Sequence, residues 1–444
     1  MTQHQQPDLR ALDGLRGVAA VVVVVGHILT YFVPRAADWT RLDTPSPPPP
    51  ATGAPPGPAA PPAFGGGARY PAVGLEYLSP VTRFFVISGF TRVHVYEKPP
   101  RAGEPPPLST PAQRWQFYRK RVARLAPVYY AGLLLGVVPF VVTFLWAPGL
   151  LAIGFPVSLL GLQSLVLYNC QNWDGPLWTV SAFVFCYLLF PRLLQRMRKL
   201  SNSGLHVAAF GCAVLSAAIG IGFTAGAGLN LGTIVHFFAP FRFPQFALGM
   251  AHGLLAQRVT LQHATLYAEA LSLLMAANIA ACAGMTARMA PDVAYTSWMI
   301  YCQLAEFLLP WFHSAWLWAL TAAGGGGPTR ALLSSRPLRA LGDISYSLYC
   351  VHFPVLQWAV YAVAHGVSFD AGPIKAIPRG PMGFFAFPTY AIVPLLAVAA
   401  AVAALVHQVL ERPARTAIAQ RGSAGATASA QPGAAAAVPL AGEV

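Results

Sequence analysis

His27 is a polar residue in an apolar part of the sequence, where its side chain could take part in proton transfer. It interrupts a run of valines, and Asp13 and Arg16 lie just before that run. Burial in a membrane would keep the imidazole neutral and able to accept a proton, so His27 is a candidate general base. The spacing to Arg16 is about three helical turns, which would place both on one side of a helix, about 16 Å apart. The alternative is an anchoring arginine and a packed histidine.

Arg121 and Arg124 form a second candidate site, in this case for phosphate. They are three positions apart in the basic stretch from Arg119 to Arg124, so they would share one face of a helix. Guanidinium groups bind phosphate oxygens well, and the pair precedes an apolar segment, from which it could reach a ligand at the membrane edge. The alternative is a basic cluster that only orients the helix and contacts lipid phosphates.

Two further polar positions lie within apolar segments. Ser88 is followed by Gly89, a pair that permits a kink or the close approach of another helix, so packing is the alternative to a chemical role. Arg242 lies between Pro240 and Pro244. The two prolines predict a broken helix with carbonyl groups that need partners, and Arg242 could either bind a ligand or cap those carbonyls.

The composition restricts the kind of protein that must position these residues. Of 444 residues, 55% are hydrophobic and 10% are charged, whereas soluble domains have about 25% charged residues. The mean hydropathy is +0.52. These values exclude a water-soluble enzyme, a coiled coil and a disordered protein. They predict an all-α polytopic membrane protein.

The apolar segments and the cations together predict a topology. Eleven segments are candidate spans, namely Gly17–Val33, Val73–Tyr96, Val128–Trp146, Leu150–Tyr168, Pro176–Leu194, Leu205–Leu229, Leu231–Ala256, Leu261–Thr286, Ser297–Leu320, Leu341–Ala364 and Phe384–Leu410. If Leu150–Tyr168 is re-entrant or interfacial, every basic cluster lies on the cytoplasmic side, as membrane proteins prefer. We therefore predict about ten transmembrane helices plus one re-entrant or interfacial segment, with both termini cytoplasmic.

The same pattern predicts the division of the chain. Residues 1–16 are a cytoplasmic segment and residues 17–415 are the membrane domain, in which residues 34–72 form a Pro/Gly-rich outer loop. Residues 416–444 are predicted to be a disordered tail. The net charge of +14 arises from loop cations and not from a nucleic-acid-binding surface. The six cysteines are scattered, and their spacing indicates neither a disulfide framework nor a metal site.

Seven motifs, in order along the chain, resemble those of acyltransferase family 3. Members of this family are integral-membrane enzymes that move acyl groups, often acetyl, onto carbohydrates and other hydroxylated acceptors. The motifs cover about Asp8 to Arg415 and are Arg10–Gly17 with His27, Phe84–Phe90, Arg121–Leu125, Pro176–Ser181, Phe241–Met250, Leu341–Pro354 and Glu411–Arg415. The ten-span core of the family agrees with the topology predicted from the cations.

The resemblance implies an O-acyltransferase and a role for each candidate residue. The donor would be acetyl-CoA or another acyl-CoA, with no bound cofactor or metal, and the acceptor a hydroxylated glycan or lipid. Membrane lipids, but no nucleic acid, would be the other partners. His27 and Ser88 would be catalytic. Arg16, Arg121 and Arg124 would bind the donor. Asp13, Trp178, Ser181, Arg242 and His352 would contact the acceptor or support the site.

Two departures from the family pattern leave other functions open. Phe183 stands where the family usually has an acidic residue, and Gln245 replaces a second acid. An inactive relative that acts as a scaffold is therefore one alternative. Because buried cations also suit anion transport, an organic-anion transporter is another.

Overall fold

The computed structural model describes residues 8–28, 80–97, 105–144, 148–166, 175–226, 236–288, 307–322, 326–364 and 389–417. All regular structure in these ranges is helical. The helices are α1 (Arg10–His27), α2 (Pro80–Tyr96), α3 (Pro111–Phe144), α4 (Pro148–Leu159), α5 (Trp178–Arg198), α6 (Asn202–Gly226), α7 (Ala239–Arg258), α8 (Ala264–Arg288), α9 (Pro310–Thr321), α10 (Pro328–Leu333), α11 (Arg336–Ala364) and α12 (Ile392–Val406). Short 3₁₀ turns precede α5 and α12, and a π-helical turn, His407–Glu411, follows α12. The predicted loop at 34–72 and the tail beyond Ala417 lie outside the described residues.

Four of the described helical segments are long and apolar enough to cross a membrane. They are Pro111–Val141, Gly175–Arg198, Asn202–Gly222 and Ile392–Ala417. Together with the helical architecture, these segments support the predicted all-α membrane protein. The count of ten crossings remains a prediction.

Helix α3 joins the basic cluster and the apolar segment that follows it in one element. It has 34 residues, which corresponds to about 51 Å, whereas the bilayer core is about 30 Å thick. Pro127 and Pro139 lie inside the helix without ending it. Membrane helices tolerate proline because neighbouring groups satisfy the freed carbonyls. Arg121 and Arg124 are therefore rigidly connected to the apolar part of the same helix.

Helix α4 is too short to cross a bilayer. Its 12 residues span about 18 Å. The chain then turns at Gly161, whose φ of +65° is in the left-handed region that favours glycine. The carbonyl of Leu159 accepts a hydrogen bond from Tyr130 in the middle of α3 at 2.9 Å, and Ser164 lies against the first turn of α5. Residues 148–166 thus form a short helix and a turn that pack against α3 and α5, which is compatible with the re-entrant or interfacial segment predicted for Leu150–Tyr168.

The end of α5 is tied to the segment that precedes α3. Arg198 donates to the carbonyl of Pro107 at 2.7 Å, and Gln195 donates to the carbonyl of Leu108. Arg198 also pairs with Glu97, directly after α2, at 2.5 Å. These contacts place the end of α2, the start of α3 and the end of α5 on one side of the helix bundle.

We expect Thr110→Cys and Ser201→Cys to be labelled from the same side of the membrane. Thr110 and Ser201 lie next to the residues that Arg198 joins. If Leu150–Tyr168 crossed the membrane, the start of α3 and the end of α5 would lie on opposite sides, although the two are in contact. The measurement is labelling by an impermeant maleimide in oriented vesicles, with the native cysteines replaced. Tyr390→Cys, at the opposite end of the bundle, is the control. Labelling of Thr110→Cys and Ser201→Cys from opposite sides would show that the ten-span topology is wrong.

Helices α1 and α11 pack along each other with little space between their backbones. A Cβ atom added at Gly342 would lie 2.1 Å from the carbonyl oxygen of Asp13, so only glycine fits at this crossing. At the start of α1, Asp8 accepts from Arg10 at 2.7 Å and from Arg330 at 3.2 Å. The Arg10 guanidinium, with Arg330, holds the pKa of Asp8 well below its usual range. The close approach of Gly342 to the backbone of Asp13 sets the register in which α1 and α11 face each other.

Helices α2 and α7 also approach through glycine. A Cβ atom at Gly89 would lie 2.1 Å from the carbonyl oxygen of Phe246, and one at Gly249 would lie 2.2 Å from that of Val86. Small residues permit such close packing in membrane helices. The Ser88-Gly89 pair thus marks a helix contact, and this contact fixes the direction in which Ser88 points.

Candidate functional site

Four arginines from three helices line a single cavity. Arg16 comes from α1, Arg92 from α2, and Arg121 and Arg124 from α3. The cavity has a volume of about 100 Å³, enough for several water molecules or a narrow chain. The three arginines predicted to bind a donor are therefore brought together, and Arg92 joins them.

The arginine cavity combines positive charge with apolar walls. No Asp or Glu among the described residues lines it, and the remaining wall is largely aromatic and aliphatic. Asp13, buried against α11, accepts a hydrogen bond from Arg16 but does not itself line the cavity. Clustering of guanidinium groups at low exposure is unfavourable unless an anion compensates them. The cavity is therefore suited to an anionic ligand.

Ser88 and Tyr187 form a pair of hydroxyl groups in the wall of the arginine cavity. Ser88 Oγ lies 2.8 Å from Tyr187 Oη. The guanidinium carbon of Arg92 lies 5.6 Å from the centre of the Tyr187 ring, within range of a cation–π interaction. Arg92 and Tyr187 were not among the predicted site residues. Arg92 could have been found from its spacing, since it follows Ser88 by four positions and shares its helix face.

Phe183 lines the same cavity, one helical turn before Tyr187. Its ring centre lies 4.6 Å from that of Phe85 and 6.0 Å from that of Tyr187. The position at which the resemblance implied an acid is thus occupied by part of an aromatic wall beside the four arginines.

His27 and His352 contact each other directly. His27 Nδ1 lies 2.8 Å from His352 Nε2, and the two rings meet edge to edge and nearly coplanar, with centres 5.0 Å apart. His352 is fully buried, and its Nδ1 faces the carbonyl oxygens of Leu348 and Tyr349 at 3.1 and 2.7 Å. The two residues predicted separately as a base and as a lining residue therefore form one unit, the histidine pair.

The histidine pair lies beyond one end of the arginine cavity. Tyr349, which lines the cavity, has its ring centre 5.8 Å from that of His352. Phe84, also in the wall, packs edge-on against Tyr349 at 6.0 Å. The axial distance from Arg16 to His27 on α1 is about 16 Å. The arginine cavity and the histidine pair are thus linked by Tyr349, which lines the cavity and contacts His352.

Trp178 and Arg242 form a third group, together with His236. The guanidinium carbon of Arg242 lies 5.7 Å from the Trp178 ring centre, and the His236 ring centre lies 5.1 Å from it. Arg242 is fully buried and donates to the carbonyl of His236 at 2.8 Å, so it caps a carbonyl just before α7. Helix α7 begins at Ala239 and continues through Arg242 and Pro244, so the predicted break between the two prolines is wrong; Pro240 lies in the first turn, where proline is tolerated. The turn before Trp178 lies near the histidine pair, because Tyr349 donates to the carbonyl of Pro176 at 3.1 Å and its ring centre is 5.8 Å from that of His352.

Ser181 does not line the arginine cavity. Its Oγ accepts from the backbone N–H and the hydroxyl of Ser164 at 3.2 and 2.7 Å, so it holds the segment that follows α4 against α5. It also lines a groove between α3 and α5, which shares Arg121 and Tyr187 with the arginine cavity. Within the described ranges, no cluster of His, Cys, Asp and Glu side chains is arranged to hold a metal ion.

Comparison with known families gives one match. A family model described as an acyltransferase domain, that of the acyltransferase-3 family, matches residues 9–407, nearly the whole chain. The comparisons with curated proteins and with solved structures gave no match.

Proposed function

The chain belongs to the acyltransferase-3 family, and on that premise we propose that it is an integral-membrane O-acyltransferase. It transfers an acyl group, acetyl in the first instance, from acyl-CoA to a hydroxyl group of a carbohydrate or a lipid-linked acceptor. The observation that carries the proposal is the arginine cavity and its position next to the histidine pair.

The arginine cavity is the proposed site for the anionic part of the donor. Coenzyme A carries phosphate groups, and charge-assisted hydrogen bonds from guanidinium to phosphate are among the strongest polar contacts. Arg121 and Arg124 bind the phosphates, with Arg92 and Arg16 as further cations. Asp13 holds Arg16 in place through their ion pair. The proposed donor site thus has one more arginine than the motifs indicate.

The walls of the cavity suit the rest of the donor. Between the arginines and the histidine pair the lining is formed mainly by apolar and aromatic residues, among them Phe84, Ile87, Val180 and Tyr349. The pantetheine arm of coenzyme A is a long and narrow chain that could extend along this lining toward the histidines. The hydroxyl groups of Ser88 and Tyr187 lie on the arginine side, where they would contact that arm.

His27 acts as the general base in the proposed reaction. It takes the proton of the acceptor hydroxyl while the oxygen attacks the thioester carbonyl, and a C–O bond forms. The tetrahedral intermediate then breaks its C–S bond, and the thiolate of coenzyme A receives the proton from the His27 imidazolium. The products are the acylated acceptor and free coenzyme A. Transfer is direct and needs no cysteine nucleophile.

The group around Trp178 lies at the proposed acceptor site. Trp178 is buried and lines neither the arginine cavity nor the groove, so together with His236 and Arg242 it would support the acceptor site from behind. Ser181 supports this site indirectly, because it fixes the segment that follows α4. His352 acts on His27 and not on the acceptor.

The proposal is tested with the purified protein in liposomes and radiolabelled acetyl-CoA. Acetylation of an added glycan or lipid extract, or slow hydrolysis of acetyl-CoA without an acceptor, is the expected result. Accumulation of intact organic anion in the liposomes without chemistry would favour a transporter. Neither chemistry nor transport would favour an inactive relative. Mass spectrometry of glycans and lipids from cells with and without the protein would then identify the acceptor, because it would lack the mass of the acetyl group in cells without the protein.

We expect Phe183→Glu to weaken the binding of the acyl donor and not to restore the chemistry that is usual in the family. The new carboxylate would stand in the wall beside the four arginines, where it would pair with one of them and compete with phosphate. The apparent KM for acetyl-CoA should rise about tenfold, the change for one lost charge-assisted contact. Phe183→Gln, of the same size but neutral, is the control and should change the KM by much less. A gain of activity in Phe183→Glu would show that the site still uses an acid.

A further inference from the structure

Both ring nitrogens of His352 have partners. Nδ1 faces the carbonyl oxygens of Leu348 and Tyr349 at 3.1 and 2.7 Å, and Nε2 faces His27 Nδ1 at 2.8 Å. These contacts join α11 to α1 at a point where His352 is fully buried. The chemistry of the partners determines where the protons lie.

The two carbonyl groups determine the tautomer of His352. A carbonyl oxygen can only accept a hydrogen bond, so His352 Nδ1 carries the proton and donates it. No carboxylate among the described residues contacts His352, and full burial without such a partner disfavours the charged imidazolium. A neutral imidazole has one ring proton, so His352 Nε2 is an acceptor.

The tautomer of His352 in turn sets that of His27. Because His352 Nε2 accepts, His27 Nδ1 must carry a proton and donate it across the 2.8 Å contact. In neutral His27 the lone pair is then on Nε2, the nitrogen that can take a proton from a substrate. We infer that His352 is a positioning residue that fixes the base tautomer of His27. The inference rests on the proposed function, in which His27 is the general base.

The contact has a consequence for catalysis. Without an acceptor at Nδ1, His27 would populate both neutral tautomers, and the one with a proton on Nε2 could not act as base. The contact also fixes the ring plane, since the two rings meet edge to edge with an interplanar angle of only 22°. After proton transfer, His27 keeps its Nδ1 hydrogen bond to His352, which stabilises the imidazolium. The aspartate of a serine-protease triad acts on its histidine in a comparable way.

Two substitutions of His352 separate positioning from packing. His352→Phe keeps an aromatic ring that fills the buried position but removes the acceptor. His352→Gln removes the ring but keeps an acceptor oxygen that reaches the place of Nε2. We expect His352→Phe to lower kcat about tenfold with an unchanged KM for acetyl-CoA, as lost orienting contacts commonly do. His352→Gln should keep most of the activity. The reverse order, with Phe tolerated and Gln inactive, would show a packing role and overturn the inference.

A spectroscopic measurement tests the tautomer without reference to activity. The ¹⁵N chemical shifts of imidazole distinguish protonated from unprotonated ring nitrogens, and the His27 signals can be assigned by difference from His27→Gln. We expect the Nδ1–H tautomer in the parent protein and a mixture in His352→Phe. An Nε2–H tautomer in the parent would overturn the inference.

The failure of the inference can be distinguished from that of the proposed function. If His27→Gln is inactive while His352→Phe has the kcat of the parent, only the positioning role is wrong. If His27→Gln retains the activity of the parent, the base assignment itself is wrong, whatever the variants of His352 do.

Discussion

His27→Gln should abolish acyl transfer while leaving acetyl-CoA binding nearly intact. Glutamine can keep a hydrogen bond to His352, but it cannot take the proton of the acceptor hydroxyl. Removal of a general base lowers the rate by about 10²–10⁴, which exceeds the effect of a packing defect that leaves the fold intact. The measurement is the transfer rate of purified protein at saturating acetyl-CoA, together with a binding titration of the donor. His27→Ala should be equally inactive.

The matched control for this experiment is His252→Gln. His252 is also a buried histidine in a helix, and its Nδ1 lies 2.7 Å from Ser314 Oγ, but it does not line the arginine cavity. This variant should transfer acyl groups at close to the parent rate. A His27→Gln rate within a few-fold of the parent would leave His27 as a packed residue and would remove the proposed base from the mechanism.

Arg121→Ala and Arg124→Ala should each weaken the binding of the donor much more than that of the acceptor. Both side chains line the arginine cavity, and no carboxylate among the described residues lines it. A hydrogen bond to a charged group contributes roughly 1.5–3 kcal/mol, so the apparent affinity for acetyl-CoA should fall about tenfold to a hundredfold. The measurement is the KM for acetyl-CoA and for the acceptor in the same preparation, and the acceptor KM should stay nearly constant.

The basic stretch itself provides the control, because Arg119 lies on the same helix but is exposed and outside the cavity. Arg119→Ala removes the same charge from the same cluster and should leave the donor KM unchanged. If Arg119→Ala and Arg124→Ala behave alike, the cluster acts through the membrane surface and not through a donor site. An unchanged donor KM in correctly inserted Arg121→Ala and Arg124→Ala would have the same meaning.

Much of the protein's class could be predicted without a structure. A composition with 10% charged residues, against about 25% in soluble domains, predicts a protein that lies in a bilayer. In a bilayer the backbone polar groups must be satisfied within helices, which predicts the helical fold. The family resemblance rests on short motifs, and the match over residues 9–407 confirms it. Helical periodicity placed Arg121 and Arg124 on one face, which the structure shows as one wall of the cavity.

The members of the site that prediction missed depend on which helix faces meet. Tyr187 is one of several aromatic residues in its segment, and only the packing of α5 against α2 brings it within 2.8 Å of Ser88. Close backbone contacts such as the one at Gly89 hold α2 against α7, and Tyr187 of α5 packs against Phe246 of the same α7, so residues far apart in sequence decide where Tyr187 lies. Local periodicity does not contain this information.

The histidine pair shows the same division between sequence and tertiary structure. The sequence identified His27 as a polar residue in an apolar segment, and it identified His352 through a motif that resembles one of the family. Their 2.8 Å contact joins positions 325 residues apart, and it arises because α1 and α11 approach through Gly342 in one register. The type of each residue is local information. Its partner, and through the partner its tautomer, is decided only when the two helices pack.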